Sequence, residues 1–340
     1  MTAALITTAL SDGLQPVDPP RHLGGIADLI ELCFSHELDA GGRGLIRELK
    51  WLSHTGPALG VLQWALLGQQ PWNLGYVWVE GGRVVGTVST QRAAPRAPSW
   101  IVANVAVHPD YRRRGIAAAL MQATLELIAR QGGSEAILQV DDDNLGAVAL
   151  YRGLGFGRVT TQTTWVRPAY SAPPDFTGTP FDIRLRGPRE WADQQALAAL
   201  ARPAGLIWGQ PPRPSDFRPG LRRNLDNFFA GRYEAHWVVR DPLPRGAGSP
   251  RLAGSLSLSV GGPDGDRLTL LVHPAYAGQL EGPLLTRALR QLGRRPWSAR
   301  VDYPTDIDEA APAFVALGFQ SRRVLRWMKY PLGAPESRAG

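Results

Sequence analysis

A single cysteine, Cys33, in 340 residues excludes an internal disulfide and fits a reducing compartment. Long apolar runs are missing too. The longest uncharged stretch, Thr55 to Val79, is interrupted by Pro57, Gly60, Gly68, Gln69, Gln70, Pro71 and Asn73, so it does not read as a membrane span. Met1 to Gly13 lacks a basic segment ahead of its apolar residues, which argues against a secretory leader. The six histidines are scattered without metal-ligand spacing. These absences predict a cytoplasmic protein with no membrane partner and no metal. Acids are outnumbered, 30 against 37 bases, for a formal charge of +7. That charge comes largely from scattered arginines, including Arg222-Arg223, Arg294-Arg295 and Arg322-Arg323. They read as solvated faces, with no nucleic-acid groove implied. An apolar content of 44% describes a globular chain, and its length suits two domains.

The most informative segment is Tyr111-Arg112-Arg113-Arg114-Gly115-Ile116-Ala117. Ile101 to Val107 ahead of it is rich in β-branched residues and reads as a buried strand, ended by His108-Pro109-Asp110. Behind it, Ile116, Leu120, Met121, Leu125, Leu127 and Ile128 recur at helical spacing. The Arg/Gly turn is therefore a helix N-terminus, where free N–H groups and the positive dipole end favour anions. Small residues there admit phosphates to the backbone, and the arginines add charge-assisted contacts.

A second signal follows. After a short strand at Ala136 to Val140 comes Asp141-Asp142-Asp143-Asn144, then Ala147, Leu150, Tyr151, Gly155 and Phe156. Asn144 suits a helix cap, Ala147 and Tyr151 share a helix face, and Gly155 suits the helix end. Gly153-x-Gly155-x-Gly157 mimics a dinucleotide loop, but it follows a helix, which excludes that reading.

Together these segments resemble the GCN5-related N-acetyltransferase superfamily, with the specific match carried by residues 101–159. Arg112-x-x-Gly115-x-Ala117 is similar to its acetyl-CoA pyrophosphate loop, and Asn144 to Phe156 to its second acyl-CoA motif. The resemblance implies a mixed α/β (α+β) fold, acetyl-CoA as cosubstrate and acetyl transfer to a primary amine on a small molecule or peptide. It implies acyl-CoA contacts from Val105, Ala106, Val107, Arg112, Arg113, Arg114, Gly115, Ile116, Ala117, Ala118 and Asn144. In the family, the strand ahead of the loop is splayed from its neighbour and pairs with pantetheine. Tyr151 is the expected proton donor to the departing thiolate. No general base is assigned: Asn104 stands where many relatives carry a Glu, and Glu80, Asp141 and Asp142 read as turn or surface carboxylates. Trp51, Trp64, Trp72, Trp78 and Trp100 lie in the regions that usually bound the acceptor. If several line the pocket, an apolar or aromatic acceptor is implied. Alternative readings are a protein N-terminal or lysine acetyltransferase, and a non-enzymatic acyl-CoA-binding regulator. Oligomeric state stays open between monomer and homodimer.

The chain also repeats itself. Val107-His108-Pro109-x-Tyr111 recurs as Val272-His273-Pro274-x-Tyr276, and Leu154-Gly155-Phe156 as Leu317-Gly318-Phe319, at similar spacing. The second copy has Ala277, Gly278, Gln279 and Leu280 where the first has its arginines and glycine, and Pro283 falls in the first turn of the next helix. Ile307 and Phe314 replace Asn144 and Tyr151. A loop without cations binds pyrophosphate poorly. The expectation is two tandem domains, each a mostly antiparallel mixed sheet flanked by helices. Residues 1–167 would be catalytic, 168–180 a Pro/Gly-rich linker, 181–334 a degenerate copy and 335–340 a flexible tail. Expected N-terminal elements are strands at 14–17, 73–79, 83–91, 100–107, 136–140 and 159–167. Helices are expected at 25–37, 41–53, 59–67, 115–131 and 144–153.

Overall fold

The structure, a computed structural model, describes residues 11–35, 75–94, 97–175, 178–201, 232–242, 251–262 and 265–333, with positions 44, 46, 47, 50, 217 and 218. The helices expected at 41–53 and 59–67 lie almost wholly outside the described residues. So do Trp51, Trp64 and Trp72. Among the described residues no helix is long and apolar enough to cross a membrane.

One order of elements occurs twice. The first run is β1 (Gly13–Pro16), α1 (Pro19–Phe34), β2 (Gly75–Glu80), β3 (Arg83–Arg92), β4 (Ser99–Val107), a 3-10 turn, α2 (Ile116–Arg130), β5 (Glu135–Asp141), α3 (Leu145–Gly153) and β6 (Gly157–Arg167). The second is β7 (Arg184–Leu185), α4 (Trp191–Ala201), β8 (Tyr233–Arg240), β9 (Leu252–Gly262), β10 (Gly265–Val272), a 3-10 turn, α5 (Glu281–Leu292), β11 (Ala299–Pro304), α6 (Ala311–Ala316) and β12 (Gln320–Pro331). The repeated His-Pro-x-Tyr strings adopt one conformation. His108 Nδ1 accepts from Asp110 N at 3.3 Å, and His273 Nδ1 accepts from Ala275 N at 3.1 Å. The backbone N–H groups of His108 and His273 donate to Val85 O and Ala253 O, each at 2.8 Å. The two histidines thus build the same short turn after corresponding strands.

The chain divides into two compact units, each assembled from several stretches of sequence. The first contains residues 1–138, 149–157 and 329–340. Its strands run in the order β1-β2-β3-β4-β5, antiparallel except for β4 beside β5. Gly81 and Gly82 both have positive φ (57° and 72°), the pair of left-handed residues that a two-residue hairpin turn requires between β2 and β3. On one face Ile26, Ala27 and Ile30 of α1 meet Val77 and Val79. Helix α2 buries Ile116, Leu120, Met121, Leu125 and Ile128, with Thr124 satisfied by donating to Leu120 O at 2.8 Å.

The second unit contains residues 139–148 and 158–328. Its strand order is β12-β6-β11-β10-β9-β8-β7. Strand β6, which closes the first run of elements, pairs antiparallel with β11 from Ala299↔Arg167 to Pro304↔Gln162. Trp165 on β6 stacks on Phe314 with ring centroids 5.0 Å apart, against the core that includes Leu256, Leu268, Leu284 and Phe319. Segment 168–175 is bonded to this unit: Arg167 Nε donates to Leu317 O at 2.8 Å, Arg294 Nε to Tyr170 O at 3.0 Å and Arg290 to Pro174 O at 3.3 Å.

Helix α1 begins six residues before the expected position, and the reason is local. Asp18 is its N-cap and Pro19-Pro20 occupy the first turn, where proline's missing N–H costs nothing. The Asp18 backbone N–H donates to His22 Nδ1 at 2.9 Å, and His22 is 1% exposed. That bond needs a neutral imidazole. Burial, opposed by Asp18 and assisted by Arg21, lowers the His22 pKa below its usual 6.5.

Two outcomes follow. A folded-state pKa below the unfolded one means that the unfolded chain takes up the His22 proton first, so stability is present above about pH 6.5 and falls as the pH drops below it. Denaturant unfolding at pH 7 and pH 5 will show a smaller loss for His22→Gln than for the wild type. A chain ending at residue 167 loses the strand partner of β6 and the stacking partner of Trp165. It will show no cooperative thermal transition by circular dichroism unless residues 168–340 are supplied.

Candidate functional site

Strand β4 carries the backbone part of the site. Its parallel ladder with β5 runs only from Ser99↔Glu135 to Ile101↔Ile137. Beyond Ile101 the two strands are no longer paired, so the later residues of β4 keep a free edge on that side. On the other side the register with β3 shifts between Thr87↔Ala106 and Ser89↔Ala103, which leaves one extra residue in β4. Asn104 takes up that bulge with φ 53°, a conformation that asparagine tolerates better than most side chains. Its amide donates to Ser89 Oγ at 2.9 Å, and Ser89 Oγ donates to Ala103 O at 3.1 Å. Ala106 is buried, while Val105 and Val107 are half-buried. The carbonyl of Val107 accepts from Arg112 Nε at 3.1 Å and from Cys33 Sγ at 3.6 Å.

The turn after β4 presents backbone donors. Gly115 is the N-cap of α2 with φ 80°, and nothing lies within 4 Å of the position that a Cβ would take there. Ala119 N donates to Gly115 O at 3.0 Å, so the N–H groups of Gly115, Ile116, Ala117 and Ala118 precede the first intrahelical bond. Free N–H groups at a helix start, with the positive end of the helix dipole, favour an anion there. The three arginines divide the work. Arg112 is turned onto Val107 O. Arg114 pairs with Glu80 at 3.2 Å and lies 4.9 Å over the Tyr111 ring. Arg113 is exposed, has φ 65°, and makes no hydrogen bond or ion pair among the described residues. It is the cation left for an anionic ligand.

The corresponding turn of the second unit is filled. Leu280 and Glu281, at the start of α5, are fully buried, where Gly115 is exposed. Tyr303 donates its hydroxyl to Glu281 Oε1 at 2.8 Å, which places the helix's own carboxylate in its first turn. A Cβ on Gly278 would come within 2.8 Å of Glu309 Cβ. No arginine stands in this turn, and its helix start is closed to solvent.

Tyr151 lies on α3, 5% exposed, with its ring 5.9 Å from that of Phe156. Burial pushes its pKa up to about 12. It therefore keeps its proton at any ordinary pH. Asn144 caps the same helix: its Oδ1 accepts from Ala147 N at 3.1 Å. Gly155 ends the helix, with Phe156 N donating back to Tyr151 O at 2.9 Å. Residues 105–118 and Tyr151 belong to the first unit, whereas Asn144 is counted with the second.

Three carboxylates of the first run of elements are engaged. Glu80 holds Arg114, Asp141 receives Arg323 in a two-pronged pair at 2.5 and 2.7 Å, and Asp142 receives Arg326 Nε at 2.7 Å. Arg323 and Arg295 thus correct the reading of the arginine pairs as solvated faces, since Arg295 binds the fully buried Asp266 at 3.0 Å. For Arg322-Arg323, on β12, the strand sends neighbouring side chains to opposite faces, so one member of the pair can be structural while the other is exposed. No local signal marks Arg323 and Arg326, because their partners lie far away in the sequence. Trp100 is 1% exposed beneath the Arg92 guanidinium and packs in the core, away from any acceptor. Among the described residues no group of three or more His, Cys, Asp or Glu is placed to hold a metal.

Comparison with known proteins agrees with this geometry. Residues 45–156 match the Acetyltransferase (GNAT) family. Over 92 residues the chain is 29% identical to the [Ribosomal protein bS18]-alanine N-acetyltransferase of Escherichia coli (strain K12), a match covering 27% of this chain and 60% of that protein. The chain thus spans less than two thirds of that curated relative. A GCN5-related N-acetyltransferase from Sphaerobacter thermophilus superposes with a TM-score of 0.59 at 14% identity, covering 94% of this chain and 95% of the other. A tandem GNAT protein from the clavulanic acid biosynthesis pathway gives 0.51 at 20% identity, covering 94% and 98%. With the strand–turn–helix of residues 99–130, the family match identifies residues 45–156 as a GNAT domain, and the two solved structures share the fold over most of the chain.

Proposed function

We propose that the chain is an acetyl-CoA-dependent N-acetyltransferase with one working site, built by residues 101–156, and that residues 181–334 are a degenerate copy which supports it. The observation that carries this reading is the contrast between the two helix starts: Gly115 is open beside an unpaired cation, and Leu280–Glu281 are buried. The N–H groups of Gly115 to Ala118, with Arg113, would hold the pyrophosphate. The free edge at Val105 and Ala106 would hold the pantetheine arm, and one of its N–H groups would face the thioester carbonyl as charge develops. Bound acetyl-CoA supplies the activated acetyl group, transferred directly to a primary amine. As the amine nitrogen bonds to the acetyl carbon and the C–S bond breaks, Tyr151 Oη donates its proton to the departing sulfur; the proton lost by the amine passes to solvent, from which Tyr151 is reprotonated. The name of the Escherichia coli relative supports a peptide N-terminal amine as acceptor. A second reading, a non-enzymatic acyl-CoA-binding regulator, is favoured by one observation: Glu80, Asp141 and Asp142 are all held by arginines and Asn104 occupies the bulge, so none of these four offers a free base.

Calorimetric titration of acetyl-CoA will show one site in the wild type and none in Arg113→Glu/Gly115→Glu. Two sites would contradict the degenerate copy, and no binding would remove the enzyme reading. Thiol release should be followed with an N-terminal alanine peptide, a lysine peptide, spermidine and an aromatic amine. Turnover with any of them separates the enzyme from the regulator. Tyr151→Phe will lower kcat about 100-fold and leave the acetyl-CoA Kd nearly unchanged.

A further inference from the structure

We propose that Asn104 holds the acceptor amine: its side-chain carbonyl accepts one N–H of the primary amine and turns the nitrogen lone pair toward the acetyl group. The proposal rests on the acetyl-transfer reading above. The amide has one orientation. Ala103 O can only accept, so Ser89 Oγ, 3.1 Å away, spends its single proton there. Ser89 then has only lone pairs left for Asn104, which turns its NH2 group toward them at 2.9 Å. Asn104 Oδ1 is thereby left over. Among the described residues it has no partner, and the residue is exposed.

The second copy shows the same strand pair without this amide. The histidine N–H groups that bond Val85 O and Ala253 O align the copies, and Ser89 then corresponds to Ser257. In the first copy, Asn104 and Val105 stand against Val88 alone, between Thr87↔Ala106 and Ser89↔Ala103. In the second, Ser255↔Leu271, Leu256↔Leu270 and Ser257↔Thr269 follow one another with no extra residue. Ser257 Oγ lies 2.8 Å from His236 Nδ1 and 3.0 Å from Gln194 Nε2, so it is bonded within its own unit. A non-glycine residue at φ 53° is strained, and the strand pair forms without one. The copy with the open helix start is the one that keeps both the strain and the free carbonyl. Asn104 also directly precedes Val105, whose edge would hold the pantetheine arm. An N–H held by Oδ1 leaves the amine lone pair to form the N–C bond as the C–S bond breaks. An amide carbonyl cannot take up the proton that the amine loses, so that proton passes to solvent and the neutral amine is the reacting form.

The test is steady-state kinetics with acetyl-CoA and the best acceptor of the panel above, on the wild type, Asn104→Gly, Asn104→Asp and Ser89→Ala. Glycine adopts a positive φ without strain, so Asn104→Gly keeps the bulge and removes only the amide. It should lose about 10- to 100-fold in kcat/KM for the acceptor, with the acetyl-CoA Kd within about threefold of wild type. Ser89→Ala frees the amide to turn and should lose less. The wild-type kcat/KM should climb with pH toward the acceptor's own pKa, about 8 for a peptide α-amino group. In Asn104→Asp that climb should flatten, because a carboxylate of the same shape takes the proton within the site. A folded Asn104→Gly with wild-type kcat/KM would overturn the proposal. So would loss of acetyl-CoA binding in that variant, which would make the bulge a structural part of the coenzyme site. If Asn104→Gly does not fold, the pH profile of Asn104→Asp decides alone, and an unchanged slope overturns the proposal. A wild type that turns over no acceptor would bring down the proposal together with its parent reading, whereas an active wild type with unaffected variants brings down the proposal alone.

Discussion

The two-pronged pair of Arg323 with Asp141 joins residues 182 positions apart, and the turn ahead of α3 has no comparable local support. Contacts of this kind, partly withdrawn from water, contribute about 1.5–3 kcal/mol each. Here the energy matters less than the placement. The pair and its neighbour Arg326–Asp142 hold the turn that leads into the Asn144 cap. The same carboxylates are thereby spent. Asp141 and Asp142, used as anchors, are not free to act as bases.

The two helix starts show how one backbone plan is tuned toward opposite ends. Both follow the same His-Pro-x-Tyr turn, with matching hydrogen bonds from each histidine. They diverge only afterwards. In the first, a left-handed glycine and an exposed Arg113 keep the N–H groups accessible. In the second, Leu280 fills the cap position and Glu281 places a carboxylate in the first turn, where the helix dipole favours negative charge from any source. The helix start is thereby occupied from within by Leu280 and Glu281, where the first copy leaves it open.

The legible parts of this chain were those written in neighbouring residues. The strand at Ile101–Val107, the helix after Gly115, the Gly81-Gly82 hairpin and the Gly155 helix end all rest on short-range patterns, and the structure has each of them. The start of α1 was hidden because Pro19-Pro20 looks like a break and acts as a first turn. Arg323 and Arg326 were invisible for another reason. Their partners are distant, and an Arg-Arg pair on a strand gives no hint of which side chain turns inward. The pairing of β6 with β11 was equally hidden, since nothing in either strand names its neighbour.

That pairing has a consequence in time. During synthesis β6 emerges long before β11, and Asp141 long before Arg323. At about 5–20 residues per second, the 182-residue gap lasts roughly 10–40 s. Within that interval β6 waits for β11, and Trp165 for Phe314. Exposed edges of this kind invite association between chains, so the half-made chain is more prone to it than the finished molecule.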